Sequence, residues 1–192
     1  MKQEEIIRLF KDSDALLTGH FKLTSGRHSD VYYEKFALLS QPVLCTRICE
    51  EMAERMKEAH PVTVVGPTTG GIIIGYDVAR YLGIRSIYAE AADSGAGRVF
   101  KRGFSLAKGE RVVIVDDVLT TGKSLHEVID LVKSYEAEIA GIGVMLDRSN
   151  GKAGVDYPIF ALATVAAESW ESTSCPICAK GIPLTQRGSR KS

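Results

Sequence analysis

One short stretch of this chain, residues 111–124, constrains the fold more than any other. An apolar run of β-branched residues, 112–115, ends in two adjacent aspartates, Asp116 and Asp117. A short Thr/Gly loop follows, and apolar residues then recur at positions 125, 128, 129, 132 and 135. This pattern predicts a buried strand ending at residue 115, then a loop, then a helix over 125–135.

The loop between this strand and helix is predicted to bind a phosphate. Its sequence, Thr-Thr-Gly-Lys-Ser over 120–124, precedes a helix, where backbone N–H groups lack intrahelical partners and the helix dipole is positive. The hydroxyls add donors, and Gly122 allows close approach of the backbone. The carboxylates of Asp116 and Asp117 would repel an anion, but they can accept hydrogen bonds from the vicinal hydroxyls of a ribose. A 5-phosphoribosyl group satisfies both halves of the motif.

Two other interpretations of the stretch compete with this one. Gly122-Lys123-Ser124 looks like the end of a nucleotide P-loop, but that pattern needs glycine five residues before Gly122, where this chain has Asp117. Alternatively, the two aspartates only end a buried strand and cap a turn. The succession of apolar strand, paired acids and Thr-Thr-Gly-x-Ser favours the ribose-phosphate interpretation.

The stretch resembles the phosphoribosyl diphosphate (PRPP) motif of type I phosphoribosyltransferases. The resemblance implies that the segment as a whole holds the phosphoribosyl group. Its members are Asp116, Asp117, Val118, Leu119, Thr120, Thr121, Gly122, Lys123 and Ser124.

The rest of the chain alternates predicted strands and helices, which indicates an α/β fold with a central, mostly parallel sheet flanked by helices. We expect a single domain over 1–192, with a small N-terminal hood at about 18–40 and a basic tail at 175–192. The predicted helices cover 3–17, 43–59, 72–82 and 125–135, with a short one starting in 166–170. The predicted strands cover 62–65, 84–89, 112–115, 139–146 and 158–165, plus a strand-turn-strand unit over 20–36.

A second glycine-rich loop, Gly-Pro-Thr-Thr-Gly-Gly over 66–71, also joins a strand to a helix. Its glycines either permit close helix–strand packing or hold the diphosphate leaving group on backbone N–H groups. The diphosphate interpretation involves Thr68, Thr69, Gly70 and Gly71. The segment 90–109, rich in glycine and cations, is either a surface hairpin or a mobile loop that shields the reaction from water.

The hood segment carries the string Leu-Thr-Ser-Gly-Arg-His-Ser-Asp-x-Tyr over 23–32. Together with the PRPP motif it resembles the orotate phosphoribosyltransferase family. Arg148 follows a predicted strand, and its planar fork matches a carboxylate such as that of orotate, although a surface turn arginine is the plain alternative. The resemblance implies that orotate is contacted by Thr120 and Arg148, and in the hood by Thr24, Ser25, Tyr32 and Tyr33.

The resemblance also implies the reaction. Orotate and PRPP would give orotidine 5-phosphate and diphosphate in pyrimidine synthesis, catalysed by a homodimer that uses Mg²⁺ held by PRPP and water rather than by protein ligands. Lys101 and Arg102 are the candidate catalytic cations, with Arg98 beside them as a further diphosphate contact. At Thr24 and at Glu90-Ala91 the chain departs from the residues common in that family.

Two other functions compete with this one. The first is transfer of the phosphoribosyl group to another base, and the second is a PRPP-binding regulator without catalysis. Such regulators usually carry a DNA-binding segment, and we expect no room for a helix-turn-helix before residue 20 or after residue 175.

Charge and cysteine content bound the remaining function classes. Lys+Arg and Asp+Glu both number 24, so no net field attracts nucleic acid or an anionic membrane, and we expect neither as a partner. Charges scattered through the first residues argue against a signal peptide or a membrane span, which predicts a cytoplasmic protein with reduced thiols. Cys175 and Cys178 form half of a zinc site, for which Cys45 and Cys49 are candidates for the other half.

Overall fold

The computed structural model describes residues 1–23, 25–165 and 168–187. Its centre is a six-stranded sheet in the order β5-β4-β3-β6-β7-β8, in which every neighbouring pair is parallel except β4 and β5. The predicted mostly parallel sheet is therefore confirmed. Its strands are β3 (Thr63–Pro67), β4 (Arg85–Ala91), β5 (Arg98–Val99), β6 (Arg111–Leu119), β7 (Glu138–Asp147) and β8 (Ile159–Thr164).

Helices cover both faces of this sheet. They are α1 (Gln3–Asp12), α2 (Lys35–Leu39), α3 (Pro42–Met56), α4 (Gly70–Leu82) and α5 (Lys123–Ser134). A short helix, α6 (Pro176–Ala179), lies in the C-terminal tail, and 3₁₀ turns occur at Lys57–Ala59 and Ser172–Ser174. Val113 and Val115 of β6 pack into a core cluster with residues of α3 and α4, whereas Val112 and Ile114 pack with residues of α5. Burial of both faces explains why this strand is a continuous apolar run rather than an alternating one.

A second sheet of four strands, which we call the hood sheet, has the order β10-β1-β2-β9. It contains β1 (Leu16–Lys22), β2 (His28–Tyr33), β9 (Ser169–Trp170) and β10 (Thr185–Gln186). Strands β1 and β2 correspond to the predicted strand-turn-strand unit, with a hydrogen bond from Gly26 N to the carbonyl of Leu23 closing its turn at 2.9 Å.

Several predicted boundaries were wrong. Helix α1 ends at Asp12 rather than near residue 17, because Asp14 adopts a left-handed conformation, φ 56°, and redirects the chain into β1. Strand β6 continues past residue 115 because its parallel pairing with β7 extends to Leu119↔Asp147. Helix α5 begins two residues earlier than predicted, at Lys123.

The C-terminal prediction also needs correction. Ser169–Trp170 forms strand β9, paired antiparallel with β2, and does not begin a helix; residues 166 and 167 lie outside the described ranges. In the basic tail, Pro176–Ala179 is helical and Thr185–Gln186 pairs with β1. The part of the tail described by the structure is therefore built into the hood sheet.

Candidate active site

The candidate site lies where the strand order of the large sheet reverses. From β3 the chain crosses to β4 on one side, and β6, on the other side of β3, is followed by β7 further out. The carboxyl ends of the neighbouring strands β3 and β6 therefore lie next to each other, with the loops that open α4 and α5 above them. In open α/β sheets, ligands bind in the crevice at such a point.

The loop after β6 forms one wall of this crevice. Gly122 adopts φ 77° at the N-cap of α5, a conformation that favours glycine, and a Cβ there would lie 3.0 Å from the carbonyl oxygen of Ala153. Lys123 and Ser124 occupy the first turn of α5, where N–H groups are available to an anion. A pocket of about 300 Å³ opens here, and it is lined by Asp116, Val118, Leu119, Thr120, Thr121, Gly122, Lys123, Ser124, Leu125 and Val144.

The two aspartates point to opposite faces of β6, as successive residues of a strand do. Asp116 lines the pocket and accepts a hydrogen bond of 2.8 Å from the backbone N–H of Asp117. Asp117 is buried; its Oδ2 lies 2.7 Å from Lys35 Nζ, at an angle that makes the contact an ion pair rather than a well-directed hydrogen bond. The acid pair thus has one member facing the pocket and one fixed by a cation from α2.

Burial and, to a smaller extent, the neighbouring charge of Asp117 raise the pKa of Asp116 to about 7, against the opposing effects of its backbone hydrogen bond, Lys35 and Arg98. A carboxyl whose pKa is higher in the folded state than in the unfolded state favours folding at low pH. This contribution is lost as pH rises from about 4 through 7. The fold therefore places a carboxylate in the pocket at a cost in stability at neutral pH.

Asp116→Asn should consequently be more stable than the wild type at alkaline pH, because asparagine keeps the shape of the carboxyl without its charge. We expect its Tm to be higher by about 2–6 °C at pH 8, with the difference vanishing toward pH 4. Thermal unfolding of both proteins across this range measures the effect. Asp130→Asn, at an exposed position on α5, is the matched control and should follow the wild-type profile. A pH-independent difference would contradict the prediction.

The loop after β3 forms the opposite wall. It turns tightly: a Cβ on Gly66 would lie 2.1 Å from the carbonyl oxygen of Gly71, and the Thr68–Thr69 peptide is cis. The N–H of Thr68 donates to the carbonyl of Ala89 at 3.0 Å, which ties the loop to β4. Gly70 and Gly71 begin α4, so the predicted diphosphate loop also ends at a helix N-terminus.

Arg98 connects the two walls. Its guanidinium donates to Thr68 Oγ1 at 2.9 Å and to Ser124 Oγ at 3.1 Å, and it pairs with Glu127 at 3.2 Å. Its side chain is only 14% exposed. Because it reaches both loops that are predicted to bind anions, Arg98 is the cation of the 90–109 segment that the structure brings into the crevice.

Lys101 and Arg102 lie differently. Lys101 is half-buried and Arg102 is exposed, and their contacts are with acids of their own hairpin: Lys101 Nζ lies 2.6 Å from Asp93, and Arg102 Nε lies 3.1 Å from Glu90. The hairpin is formed by β4 and β5, with Phe104 packed against Tyr88 beyond it. The strand pairing and the Phe104–Tyr88 contact hold part of the 90–109 segment in place, and the predicted mobility of this segment stays a prediction.

Arg148 lies at the carboxyl end of β7, beside the PRPP motif. Its backbone N–H donates to the carbonyl of Leu119 at 2.8 Å, so it is placed next to Thr120. Its Nε is buried without a hydrogen-bond partner among the described residues. Burial lowers its pKa, while the charge of Asp30 on β2 opposes the shift. A buried guanidinium N–H without a partner is costly, which points to an anionic ligand.

The predicted hood contacts divide into groups. The Tyr33 ring packs edge-on against Phe10, with centroids 5.8 Å apart, and burial raises the pKa of its hydroxyl. Tyr32 packs against Phe21 at 5.6 Å. Ser25 is exposed in the turn between β1 and β2, and Thr24 lies outside the described residues. Tyr33 is therefore placed mainly for packing, whereas Tyr32 and Ser25 remain at the hood surface.

The cysteines do not form the four-cysteine site considered from the sequence. Cys45 and Cys49 are buried in α3, within the core cluster, with their sulfurs 3.9 Å apart. Cys175 and Cys178 lie instead beside the hood sheet, near two histidines. Cys45 and Cys49 lie one helical turn apart on α3, and both side chains pack in the core cluster.

Sequence reasoning missed the pairing of Lys35 with Asp117, and it gave Arg98 no precedence over Lys101 and Arg102. Lys35 begins α2, far from Asp117 in sequence, so no local pattern links them. The position of Arg98 likewise depends on a contact seen only in the structure, the pairing of β5 with Glu90 and Ala91 of β4.

Comparisons with known proteins agree with this geometry. Residues 38–175 match the phosphoribosyl transferase domain family. The chain is 44% identical over 191 residues to a protein of Desulforamulus reducens named orotate phosphoribosyltransferase, covering 100% of this chain and 99% of that protein. A protein of Chlorobium phaeobacteroides with the same name is 40% identical over 191 residues, covering 99% of this chain and 97% of the relative.

Solved structures share the fold. The crystal structure of orotate phosphoribosyltransferase from Aeropyrum pernix matches with a TM-score of 0.71 at 27% identity, covering 83% of this chain and 93% of that one. Adenine phosphoribosyltransferase from Thermoanaerobacter pseudethanolicus matches with a TM-score of 0.62 at 20% identity, covering 70% and 88%, and shows the fold alone. Within the described residues, none of the helices has the length and apolar character to cross a bilayer.

Proposed function

The chain belongs to the phosphoribosyl transferase domain family and, within it, to the orotate phosphoribosyltransferases, and on that premise we propose which residues of the crevice carry out the reaction. The enzyme transfers the 5-phosphoribosyl group of PRPP to orotate, forming orotidine 5-phosphate and diphosphate in pyrimidine biosynthesis. The observation that carries the residue assignment is the position of Arg148 Nε, buried without a partner among the described residues, next to the loop that follows β6.

We assign the 5-phosphate of PRPP to the loop 120–124. Its N–H groups and hydroxyls line the pocket, and Asp116 at the same wall suits the ribose hydroxyls. Asp117 would act from the other face of β6, where its pairing with Lys35 fixes the end of the strand. In this arrangement the phosphate and the ribose bind to groups that the fold already holds in place, which limits the entropy lost on binding.

We assign the diphosphate to the loop 68–71 and to Arg98. Breaking the C1–diphosphate bond builds negative charge on the leaving group and positive charge on the ribose. Arg98 is already within reach of Thr68 and Ser124, so it can follow the developing charge with a small movement. Lys101 and Arg102 would have to leave Asp93 and Glu90 to join it, and we propose them as additional contacts supplied when substrate is bound.

We propose Mg²⁺ as the cofactor, bound through diphosphate oxygens and water. The residues fit this arrangement because few carboxylates are free to bind the ion directly. Asp116 lines the pocket, whereas Asp117 is already paired with Lys35. Arg98, the cation beside the diphosphate loop, is itself paired with Glu127. Bound there, the ion would supply positive charge to the leaving diphosphate.

The base is positioned by Arg148. Its guanidinium N–H groups match the carboxylate of orotate, and Thr120 adjoins it through the Leu119 carbonyl contact. Held there, orotate N1 attacks C1 of the ribose at short range, so no protein nucleophile is needed. Uracil lacks the carboxylate and would leave the arginine unpaired.

We also propose that the enzyme is a cytoplasmic homodimer. Exposed apolar side chains cluster on α2, α3 and α4: Phe36 is 50% exposed, Val43 81%, Ile73 41% and Tyr76 66%. These three helices contact one another, and apolar side chains exposed on neighbouring helices commonly mark a protein interface. Four unbridged cysteines suit a reducing compartment. Analytical ultracentrifugation of the wild type and of Tyr76→Asp tests the dimer, since the charge would dissociate it if this face is the interface.

The assay that tests the function offers the purified protein PRPP, Mg²⁺ and separate bases, and follows consumption of orotate, uracil, adenine and hypoxanthine. We expect orotate to be consumed with stoichiometric release of diphosphate, and the other bases at rates lower by at least about 10³-fold, because each leaves the buried Nε of Arg148 unpaired. Consumption of another base at the orotate rate would refute the specificity. Absence of turnover with intact PRPP binding would favour a regulator.

A further inference from the structure

Four side chains with metal-binding atoms meet where the C-terminal tail crosses the hood sheet. They are His20 on β1, His28 on β2, Cys175 just before α6, and Cys178 within α6. Their four ligand atoms all lie within 4.8 Å of one another. Both histidines and Cys175 are buried, while Cys178 is exposed. None of the four belongs to the crevice described above.

Four of the six distances between these atoms match edges of a zinc coordination tetrahedron, and the other two are no longer than 4.8 Å. With Zn–N near 2.0–2.1 Å and Zn–S near 2.3 Å, a tetrahedral site has N···N of about 3.3 Å and N···S of about 3.6 Å. Here His20 Nε2 lies 3.1 Å from His28 Nδ1, and 3.5 Å and 3.6 Å from the sulfurs of Cys175 and Cys178. Cys178 Sγ lies 3.2 Å from His28 Nδ1. Every one of these distances is within a few tenths of an ångström of the ideal edge.

The orientation of His20 fits the same role. Its Nδ1 lies 2.7 Å from the carbonyl oxygen of Ile182, and because a carbonyl only accepts, Nδ1 must carry the proton. The lone pair is then on Nε2, which faces His28 and both cysteines. Metal-binding histidines commonly have their second nitrogen fixed in this way by a carbonyl or carboxylate.

The hood sheet has a structural need for such a bond. Its edge strands β9 and β10 contain two residues each, and both residues of β10 are exposed. Phe21, the buried aromatic residue of β1, lies outside both core clusters and packs on Tyr32. Leu16, Val31 and Tyr33 join the first core cluster at the other end of the sheet, so it is the end at the tail that buries little apolar surface. A small unit of this kind commonly depends on a metal or a disulfide.

We propose that His20, His28, Cys175 and Cys178 form a structural Zn²⁺ site that fastens the tail to the hood. Four protein ligands complete a tetrahedral shell and leave no open position for substrate, which is the arrangement of structural rather than catalytic zinc. The site joins β1, β2 and the segment at α6, so it fixes the base of the strand that runs from His28 to Tyr33. This inference is independent of the function proposed for the crevice.

The test is the metal content of the full chain, purified without chelator from medium containing zinc and measured by inductively coupled plasma mass spectrometry. We expect about one zinc per chain, and a loss of at least about tenfold in Cys178→Ser. Because Cys178 is exposed, this variant should fold. Cys45→Ala, which removes a thiol from α3, is the matched control and should keep its zinc.

Two further readouts distinguish a bound ion from other arrangements of the same residues. Cobalt added to metal-free protein should give the visible bands of tetrahedral, thiolate-bound Co²⁺, and these should be lost in Cys178→Ser. Chelation should lower the Tm of the wild type by about 5–10 °C and leave that of the variant unchanged. Purified wild type that binds neither zinc nor cobalt would overturn the proposal. So would equal zinc content in Cys178→Ser, or a mass lower by two hydrogens that reports a Cys175–Cys178 disulfide.

Discussion

Arg148→Ala should lower kcat/KM for orotate by about 10²–10³-fold while KM for PRPP stays within about threefold of the wild-type value. The reason is the half-buried guanidinium, whose Nε is fully buried without a partner among the described residues and whose charged form is disfavoured by burial. A carboxylate that fills this position gains a charge-assisted hydrogen bond, and truncation of the arginine removes it. Steady-state kinetics with each substrate varied in turn measures both constants.

Two variants sharpen this experiment. Arg148→Lys keeps the positive charge but not the planar fork, and we expect it to recover only part of the loss. Arg47→Ala removes a half-exposed arginine of α3 whose nearest acid, Glu5, is 4.0 Å away, and it should behave as the wild type. If Arg148→Ala impaired PRPP and orotate equally, the assignment of the orotate carboxylate to this residue would be wrong.

Gly66→Ala should lower the Tm by about 6–12 °C and raise KM for PRPP, because the new methyl group would lie 2.1 Å from the backbone oxygen of Gly71. The Cβ of an alanine is fixed by its own backbone, and the atom that it meets belongs to the backbone of Gly71, so no side-chain rotation relieves the contact. The turn between β3 and α4 must open, and the loop 68–71 moves away from Arg98 as it does. Thermal unfolding measures the change in Tm, and steady-state kinetics with PRPP varied measures the change in KM.

Gly75→Ala is the matched control in the same unit. Its methyl group would meet Val115, Ser86 and Val64 at 3.5–3.6 Å, which is ordinary contact, and alanine favours the interior of α4 over glycine by about 1 kcal/mol. This variant should therefore be as stable as the wild type or slightly more so. Equal Tm values for the two alanine variants would show that the close approach at Gly66 carries no energetic weight.

Much of the large sheet was predictable because its sequence signals are local. The run from Val112 to Val115 is apolar at every position, which is typical of a strand buried on both faces, and both core clusters draw on it. The two glycine-containing loops correctly predicted that helices begin after them, at α4 and α5. The predicted grouping of phosphate loop, acids and Arg148 at one edge of the sheet followed from parallel topology, which brings strand ends together.

What could not be predicted depends on contacts between residues far apart in sequence. Strand β9 consists of two residues that pair only because β2 offers an edge, and nothing in Ser169–Trp170 itself specifies extended structure. The continuation of β6 through the aspartates, which places them on opposite faces, depends on its pairing with β7. His20 and His28 were read as part of a hood, and their approach to Cys175 appears only once the tail folds back.

The raised pKa of Asp116 carries a thermodynamic consequence for substrate uptake. At pH 7 the free enzyme would hold a proton on this carboxyl in a substantial share of molecules, whereas hydrogen bonds from ribose hydroxyls favour the charged form. Association with PRPP near neutrality should then release a fraction of a proton to the medium. Calorimetric heats of binding would vary with the ionisation enthalpy of the buffer, so the protein couples its acid–base equilibrium to the occupancy of the sugar site.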